Sequence, residues 1–321
     1  MNSENVRRKL MILEGMLRNC RLCPRRCEVD RTRGETGFCG LGTDVRIDGA
    51  LPHHGEEPPL SGNGGAGTVF FSSCNLRCSF CQNYQISHGI HGRTAKSLDL
   101  AEVFLGLQRQ GCHNIDLVTP TAQAPPILKA VAAARDMGLS VPIVYNSGGY
   151  EDPDVVALFD GCVNIYLPDF KYGSSRDAQI FSAAPDYPFW AVKAIGEMIR
   201  QTGPGLELDG DLAVQGIIIR HLVLPGGVKN SLEVLRLIRS RLSRYVPLSI
   251  MSQYTPTPTV QDHPLLGRRV MRKEYEAVVE AALDMGFDEI FVQEVDDRHC
   301  VPDFDRHEPF RWNEEQTDDD R

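Results

Sequence analysis

Cys74, Cys78 and Cys81 stand in the spacing CxxxCxxC within the stretch TVFFSSCNLRCSFCQNYQIS. Three thiolates on one short loop form a metal-ligand set with an open position. A closed structural zinc site takes four protein ligands, whereas three leave one coordination position free for chemistry. An iron–sulfur cube held by three cysteines keeps one iron free in the same way.

A second group precedes it. Cys20, Cys23, Cys27 and Cys39 give CxxCxxxC followed by a fourth cysteine, with Pro24, Gly34, Gly37 and Gly40 supplying turns between them. Four thiolates on a glycine-rich knuckle match a closed site for zinc or a second iron–sulfur cluster, and the spacing does not choose between the two. Reduced, metal-free cysteines are the alternative. The two groups hold seven of the ten cysteines, while Cys112, Cys162 and Cys300 are scattered. Clustering of this kind favours metal ligands over a disulfide framework.

The composition bounds the rest. A length of 321 residues, 42% hydrophobic and 24% charged, suits one sizeable soluble catalytic body with appendages. A formal net charge of −9 argues against a general nucleic-acid or anionic-membrane binder, because such binding relies on a basic surface. The N-terminal MNSENVRRKLMILEGML has no signal-peptide core and there is no long apolar run, so a cytoplasmic protein is expected.

The elements that must position the cysteines follow from periodicity. Helical spacing of Val6, Leu10, Leu13 and Leu17 predicts a first helix over 4–19. Residues 52–67 are rich in Gly and Pro and read as an irregular linker, in which His53, His54, Glu56 and Glu57 either line a site or lie on a solvated loop. The apolar run Val69, Phe70, Phe71 then predicts a strand, with the CxxxCxxC loop at its C-terminal end. Further strands are expected over 114–118, 141–145, 163–167, 216–224, 248–254 and 289–293. Helices are expected over 99–111, 127–137, 152–159, 177–201 with a break at Pro185 and Pro188, 231–242 and 273–285. This alternation predicts a parallel sheet with crossover helices, an α/β fold of partial (β/α)6 TIM-type barrel form carrying an N-terminal Cys-rich metal knuckle. Its active site is expected at the C-terminal ends of the strands. The expected division is 1–66 for helix, four-cysteine knuckle and linker, 67–294 for the barrel, and 295–321 for an irregular segment ending in a disordered acidic tail.

The stretch CNLRCSFCQN after GTVFFSS resembles the CxxxCxΦC motif of the radical SAM enzymes, with Phe80 as the aromatic. CRLCPRRC…GETGFCG and the HxGEEPPLSG…GAGT linker resemble, more narrowly, an uncharacterised branch related to pyruvate formate-lyase activating enzymes. The resemblance runs from Cys20 to about Gln253. It implies a [4Fe–4S] cluster on Cys74, Cys78 and Cys81, with S-adenosylmethionine chelating the open iron. It also implies an electron donor such as flavodoxin or ferredoxin and a glycyl-radical enzyme as a candidate partner; the acidic charge and the lack of a long apolar run lead us to expect no nucleic acid and no membrane.

Further residues follow from that resemblance and from positions at the strand ends. Phe80 is expected against the adenine, and Asn83 continues the CxN pattern near the cluster. Where many of the resembling enzymes carry a GGE-type motif, this chain has Thr119-Pro120-Thr121, whose hydroxyls and carbonyls can accept an ammonium. PDFKY resembles the activating enzymes' Asp-x-Lys, placing Asp169 and Lys171 on one side of a strand to hold methionine or ribose. Arg220 and His221 alternate, so one of them faces the site; Arg220 is preferred for its carboxylate-binding fork, with His221 as a core histidine. Asn146 and Ser147 are expected near ribose, and Gln253 and Tyr254 are weaker candidates of the same kind. The expected activity is hydrogen abstraction from a protein glycine, or from a small molecule or peptide. A non-catalytic iron–sulfur or zinc protein is the alternative from another class.

Overall fold

The structure is a computed structural model that describes residues 3–296, 301–306 and 308–310. Cys300 and the acidic tail expected over the last ten residues lie outside these. Among the described residues no helix is long and apolar enough to cross a membrane, and the nine cysteines are free thiols.

The chain opens with helix α1 (Ser3–Met16), which buries Leu13 and then runs through a single 3-10 turn into the first cysteine group. Strand β1 (Val45–His53) and the short helix α2 (Pro58–Ser61) follow, so the linker expected to be irregular over 52–67 holds the end of β1 and all of α2. Then come β2 (Ala66–Phe71), α3 (Tyr84–Ser87), β3 (Arg93–Ala95), α4 (Ser97–Arg109) and β4 (Ile115–Val118). Next are α5 (Ala124–Asp136), β5 (Ile143–Ser147), α6 (Pro153–Ala157) and β6 (Ile165–Pro168). Helices α7 (Ser175–Ser182) and α8 (Tyr187–Thr202) are split at the expected place, with Pro188 tolerated in the first turn of α8. The chain continues with β7 (Leu206–Asp209), β8 (Leu212–Ile217), β9 (Ile219–Leu222) and α9 (Val228–Arg241). It ends in β10 (Leu248–Met251), α10 (Arg272–Asp284) and β11 (Ile290–Val292).

These strands form a mixed α/β fold around a large, mostly parallel sheet. One sheet of eight strands runs β3-β1-β2-β4-β5-β6-β8-β7, and a sheet of three runs β11-β10-β9. β2, β4, β5, β6 and β8 pair in parallel, while β1 and β7 close the large sheet's flanks in antiparallel fashion. The sequence predicts a partial (β/α)6 barrel; the described strands form two sheets, the larger one mostly parallel, and no closed barrel. The physical reason lies at the edges. β2 spends its outer hydrogen-bonding side on β1, and the run expected as one strand over 216–224 breaks at Ile218, handing the chain from one sheet to the other. The two sheets touch through a parallel bridge between Asp169 and Arg220.

Strand alternation separates the two faces. Leu117, Ile143, Tyr145 and Tyr166 join Phe104, Ile127, Leu128 and Ile195 from the helices in the main core. On the opposite face, Thr68, Asp116, Val144 and Ile165 align across β2, β4, β5 and β6, as do Phe70, Val118, Asn146 and Leu167. Val144, Ile165 and Leu167 pack with Leu60 of α2 in a smaller cluster. Phe70 and Ile86 are covered by Phe304, with Phe310 5.3 Å from Phe70 and 4.3 Å from His53 between ring centroids. Gln85 pins this late segment by accepting from the Phe304 amide at 2.9 Å.

Candidate functional site

The CxxxCxxC loop leaves β2 at its C-terminal end, as the sequence requires. Its entry is sharp: Ser73 and Arg77 take positive φ values of 68° and 48°, a strained conformation for residues with a Cβ. Ser73 Oγ donates to the Cys39 carbonyl at 2.6 Å, and its amide donates to the Ile86 carbonyl at 2.7 Å, which together hold the turn. Asn75 is buried and donates through Nδ2 to the Tyr150 carbonyl at 2.6 Å.

Each of the three sulfurs meets a donor. The Leu76 amide donates to Cys74 at 3.3 Å, the Ser87 hydroxyl to Cys81 at 3.2 Å and the Ser182 hydroxyl to Cys78 at 3.0 Å. Burial pushes the Cys81 thiol up to about 12, with Cys78 adding to the shift, and burial also raises Cys74. A thiolate therefore needs a strong positive charge at this loop, from a bound metal or a cation. Lys171 is such a cation: Cys74 and Cys81 both feel its charge.

Lys171 stands across the mouth at the end of β6. Its Nζ is 2.5 Å from Asp169 Oδ2. Burial works against the ammonium, but Asp169 and the Cys78 thiol outweigh it and hold the group more firmly charged than an ordinary lysine. Two glycines make the room. A Cβ on Gly148 would come 2.9 Å from Leu76 Cδ1, and one on Gly149 (φ +76°) would come 2.2 Å from the Asp169 carbonyl. The Tyr187 hydroxyl accepts from the Lys171 amide at 2.8 Å, fixing the backbone of the Asp-Phe-Lys turn.

Below Lys171 is a buried charge network centred on Arg220. Its Nε lies 3.3 Å from Asp169 Oδ1 without hydrogen-bond geometry, its Nη1 donates to Glu56 at 3.0 Å, and its Nη2 donates to Asn146 Oδ1. Asn146 passes the contact on, donating through Nδ2 to Asp116 Oδ2 at 3.2 Å. Burial raises Glu56, Glu57 and Asp116 against their ordinary range, although Arg220 pulls the other way. Asp169 goes down, because Lys171 and Arg220 overcome the burial penalty. The negative charge therefore concentrates on Asp169, while burial raises both Glu56 and Asp116 and the charge of Glu56 raises Asp116 further.

The remaining sequence candidates are dispersed around this centre. Phe80 is buried edge-on between Tyr172 and Phe181, with ring centroids 6.1 and 6.0 Å away. Asn83 begins α3, its carbonyl accepting from Ser87 at 2.9 Å. Thr119 has φ 62° and donates its amide to the Asn146 carbonyl at 2.8 Å. Thr121 is buried and donates to Glu151, whose carboxyl burial pushes up to about 8. Ser147 accepts from the Gly149 amide at 3.3 Å. His221 is enclosed between the Phe170 carbonyl and Ser231 Oγ, at 2.7 and 2.8 Å, and burial lowers it to about 4. The Gln253 carbonyl accepts from Gln82, and Tyr254 donates to the Leu266 carbonyl at 2.6 Å in the core. His53 lies against Phe310.

Sequence reasoning left Glu56 and Glu57 open between a site and a solvated loop, and passed over Asp116, Tyr187 and Ser182. Asp116 carried a signal, an acid inside the apolar strand Ile115–Val118. The two glutamates carried one in the Pro58-Pro59 pair that starts α2 and turns the linker inward.

No family model matches the chain. An uncharacterized protein of Methanocaldococcus jannaschii is 29% identical over 293 residues, covering 88% of this chain and 80% of that protein. Among solved structures, native anSMEcpe with bound AdoMet is similar at 10% identity and a TM-score of 0.46, over 69% of this chain and 61% of that one. Streptococcus suis SuiB is similar at 10% identity and a TM-score of 0.45, over 71% of this chain and 48% of that one. The chain thus spans less than two thirds of the length of these solved structures.

Proposed function

We propose that this chain is a radical SAM enzyme, with a [4Fe–4S] cluster on Cys74, Cys78 and Cys81 and S-adenosylmethionine on the iron they leave open. One observation carries the reading: three thiols at the C-terminal end of β2, each already facing a hydrogen-bond donor, lie within the field of the Lys171 ammonium across the mouth. The donor set fits such a cluster, because amide and hydroxyl hydrogen bonds to the sulfurs and a nearby cation stabilise thiolate ligands.

When bound and reduced by an external one-electron donor, such a cluster would supply the electron for reductive cleavage of S-adenosylmethionine and hence the radical chemistry of hydrogen abstraction. The chain's own residues bind and orient. Asp169, held ionised by Lys171 and Arg220, accepts from a ribose hydroxyl or an ammonium, and Lys171 donates to a carboxylate. Thr119 and the carbonyls beside Pro120 offer acceptors to the methionine ammonium. Arg220, braced by Glu56 and Asn146, keeps Asp169 from turning away. Phe80 fixes the loop through its aromatic neighbours and bounds the adenine side.

For the substrate, a glycine of a partner protein follows from the resemblance to activating enzymes. A small molecule or peptide is the second reading, favoured by Phe304 and Phe310, which cover Phe70 and narrow the open face beside β2. We place the enzyme in the cytoplasm with a flavodoxin or ferredoxin as electron donor.

Anaerobic reconstitution with iron and sulfide, followed by dithionite and S-adenosylmethionine, tests the reading. The expected product is 5′-deoxyadenosine, with an EPR signal that changes when S-adenosylmethionine binds. An iron-loaded protein with intact cysteines that makes none, and whose signal ignores S-adenosylmethionine, overturns it.

A further inference from the structure

We propose that Ser182, backed by Tyr172, is a positioning residue that sets the reduction potential of the cluster through Cys78, a role that rests on the radical SAM function proposed above. The three sulfurs are served unequally. Cys74 takes its hydrogen bond from the Leu76 amide two residues on, and Cys81 from Ser87 on the short helix that continues the loop, so both donors travel with the loop itself. Cys78 takes its own at 3.0 Å from Ser182, the last residue of α7, 104 positions away in the chain. The Ser182 hydroxyl also meets the Tyr172 hydroxyl at 2.6 Å. A metal-bound thiolate can only accept, so the one Ser182 proton goes to Cys78 and the Ser182 oxygen accepts from Tyr172. Burial, with Cys78 adding to it, keeps the Tyr172 phenol protonated and able to donate.

The surroundings hold this chain of hydroxyls in place. Tyr172, Ser182 and Cys78 are all buried, so water does not compete for the two hydrogen bonds, and each strengthens the other. The Ser79 amide donates to the Phe181 carbonyl at 2.8 Å, and the Phe80 ring sits edge-on between Tyr172 and Phe181, which docks the end of α7 on the thiol loop. The carbonyls of Ser182 and Ala183 are taken by Arg25, and Ala183 ends the helix at φ +47°. The effect on potential follows from charge. One electron passes from the external donor to the cluster, and no bond in the chain is made or broken. The added negative charge spreads onto the sulfurs, so a hydroxyl donating to one of them stabilises the reduced form more than the oxidised one. Without that donor the cluster is harder to reduce.

The test is a redox titration of the reconstituted chain, followed by EPR without S-adenosylmethionine. Ser182→Ala is expected to leave about threefold to tenfold less reduced cluster at a fixed solution potential, a shift of about −30 to −60 mV for one electron. Tyr172→Phe keeps the ring against Phe80 and should shift the potential in the same direction by less, with the iron content of wild type. Ser182→Thr keeps a hydroxyl and should return the potential towards that of wild type. A potential unchanged in Ser182→Ala overturns the proposal. If that variant does not hold iron, Tyr172→Phe decides, and an unchanged potential there overturns it. The function proposed above fails on a different result, an iron-loaded wild-type chain that makes no 5′-deoxyadenosine, so the two failures are told apart.

Discussion

Asp169 and Arg220 meet twice, as the backbone bridge that joins the eight-stranded sheet to the three-stranded one and as an ion pair with Nε 3.3 Å from Oδ1. The junction of the sheets and the charge centre of the site are therefore the same pair. Arg220→Leu leaves Asp169, Glu56, Glu57 and Asp116 gathered with Lys171 as their remaining cation. We expect a loss of about 3–5 kcal/mol in urea unfolding, the cost of removing one partner from a buried ionic network. A variant as stable as wild type would show that the acids relax by protonation alone.

Lys171→Met removes the ammonium nearest the sulfurs while keeping the length of the side chain. If it binds a carboxylate, S-adenosylmethionine affinity falls about tenfold to a hundredfold, the worth of one charge-assisted hydrogen bond, with iron content near that of wild type. Equilibrium titration of the cluster signal measures it. Unchanged affinity removes Lys171 from the binding set.

The Glu151 carboxyl, raised to about 8 by burial, predicts a pH dependence of stability. Between its unfolded value of about 4.5 and 8, the folded state binds more protons than the unfolded one. This group's contribution therefore weakens as pH rises through that window. Glu151→Gln should flatten the decline, so the urea midpoints of variant and wild type diverge towards pH 8. Parallel midpoint curves from pH 5 to 8 would count against it.

His221 acts with the opposite sign. It is lowered to about 4 from an ordinary 6.5, so the unfolded state binds more protons in that interval and the chain gains stability as pH rises from 4 to 6.5. The NMR titration of its ring should show no protonation above pH 5, and a midpoint near 6.5 would refute the buried, neutral assignment.

Gly149→Ala is expected to be costly because it combines φ +76° with a Cβ 2.2 Å from the Asp169 carbonyl. The strain falls on the turn that presents Asp169 and Lys171. Both stability, by at least about 1 kcal/mol, and S-adenosylmethionine affinity should fall, whereas Gly138→Ala, with positive φ but open space around it, should cost stability alone.

The sequence made the periodic elements legible. The helix expected over 99–111 is Ser97–Arg109, and that over 273–285 is Arg272–Asp284, because both carry clear apolar stripes. The thiol loop was legible for the same reason, a short-range pattern placed after a strand. What stayed hidden depends on long-range pairing. β1 ends in Pro52 and His53, which read as the start of the linker, yet it pairs with β2 over Ile47 to His53. That pairing occupies the strand edge that barrel closure would have needed. Glu56 and Glu57 look solvated in sequence, and they are buried because α2 folds back beneath the sheet and packs Leu60 against Val144 and Ile165. The break at Ile218 is invisible in the apolar run GIIIRHLVL, since every residue there favours a strand and the change of sheet is decided by Tyr166 and Pro247 as hydrogen-bond partners.

Arg25 reaches from the first cysteine group to the second, donating to the carbonyls of Asn75, Ser182 and Ala183 at 2.8, 2.7 and 2.6 Å, with its guanidinium 4.0 Å from the centre of the Phe38 ring. Those contacts involve no sulfur and no cofactor. The two thiol groups are thus tied to each other by ordinary peptide chemistry, so a change at Arg25 in the first loop is felt in the backbone that carries the second.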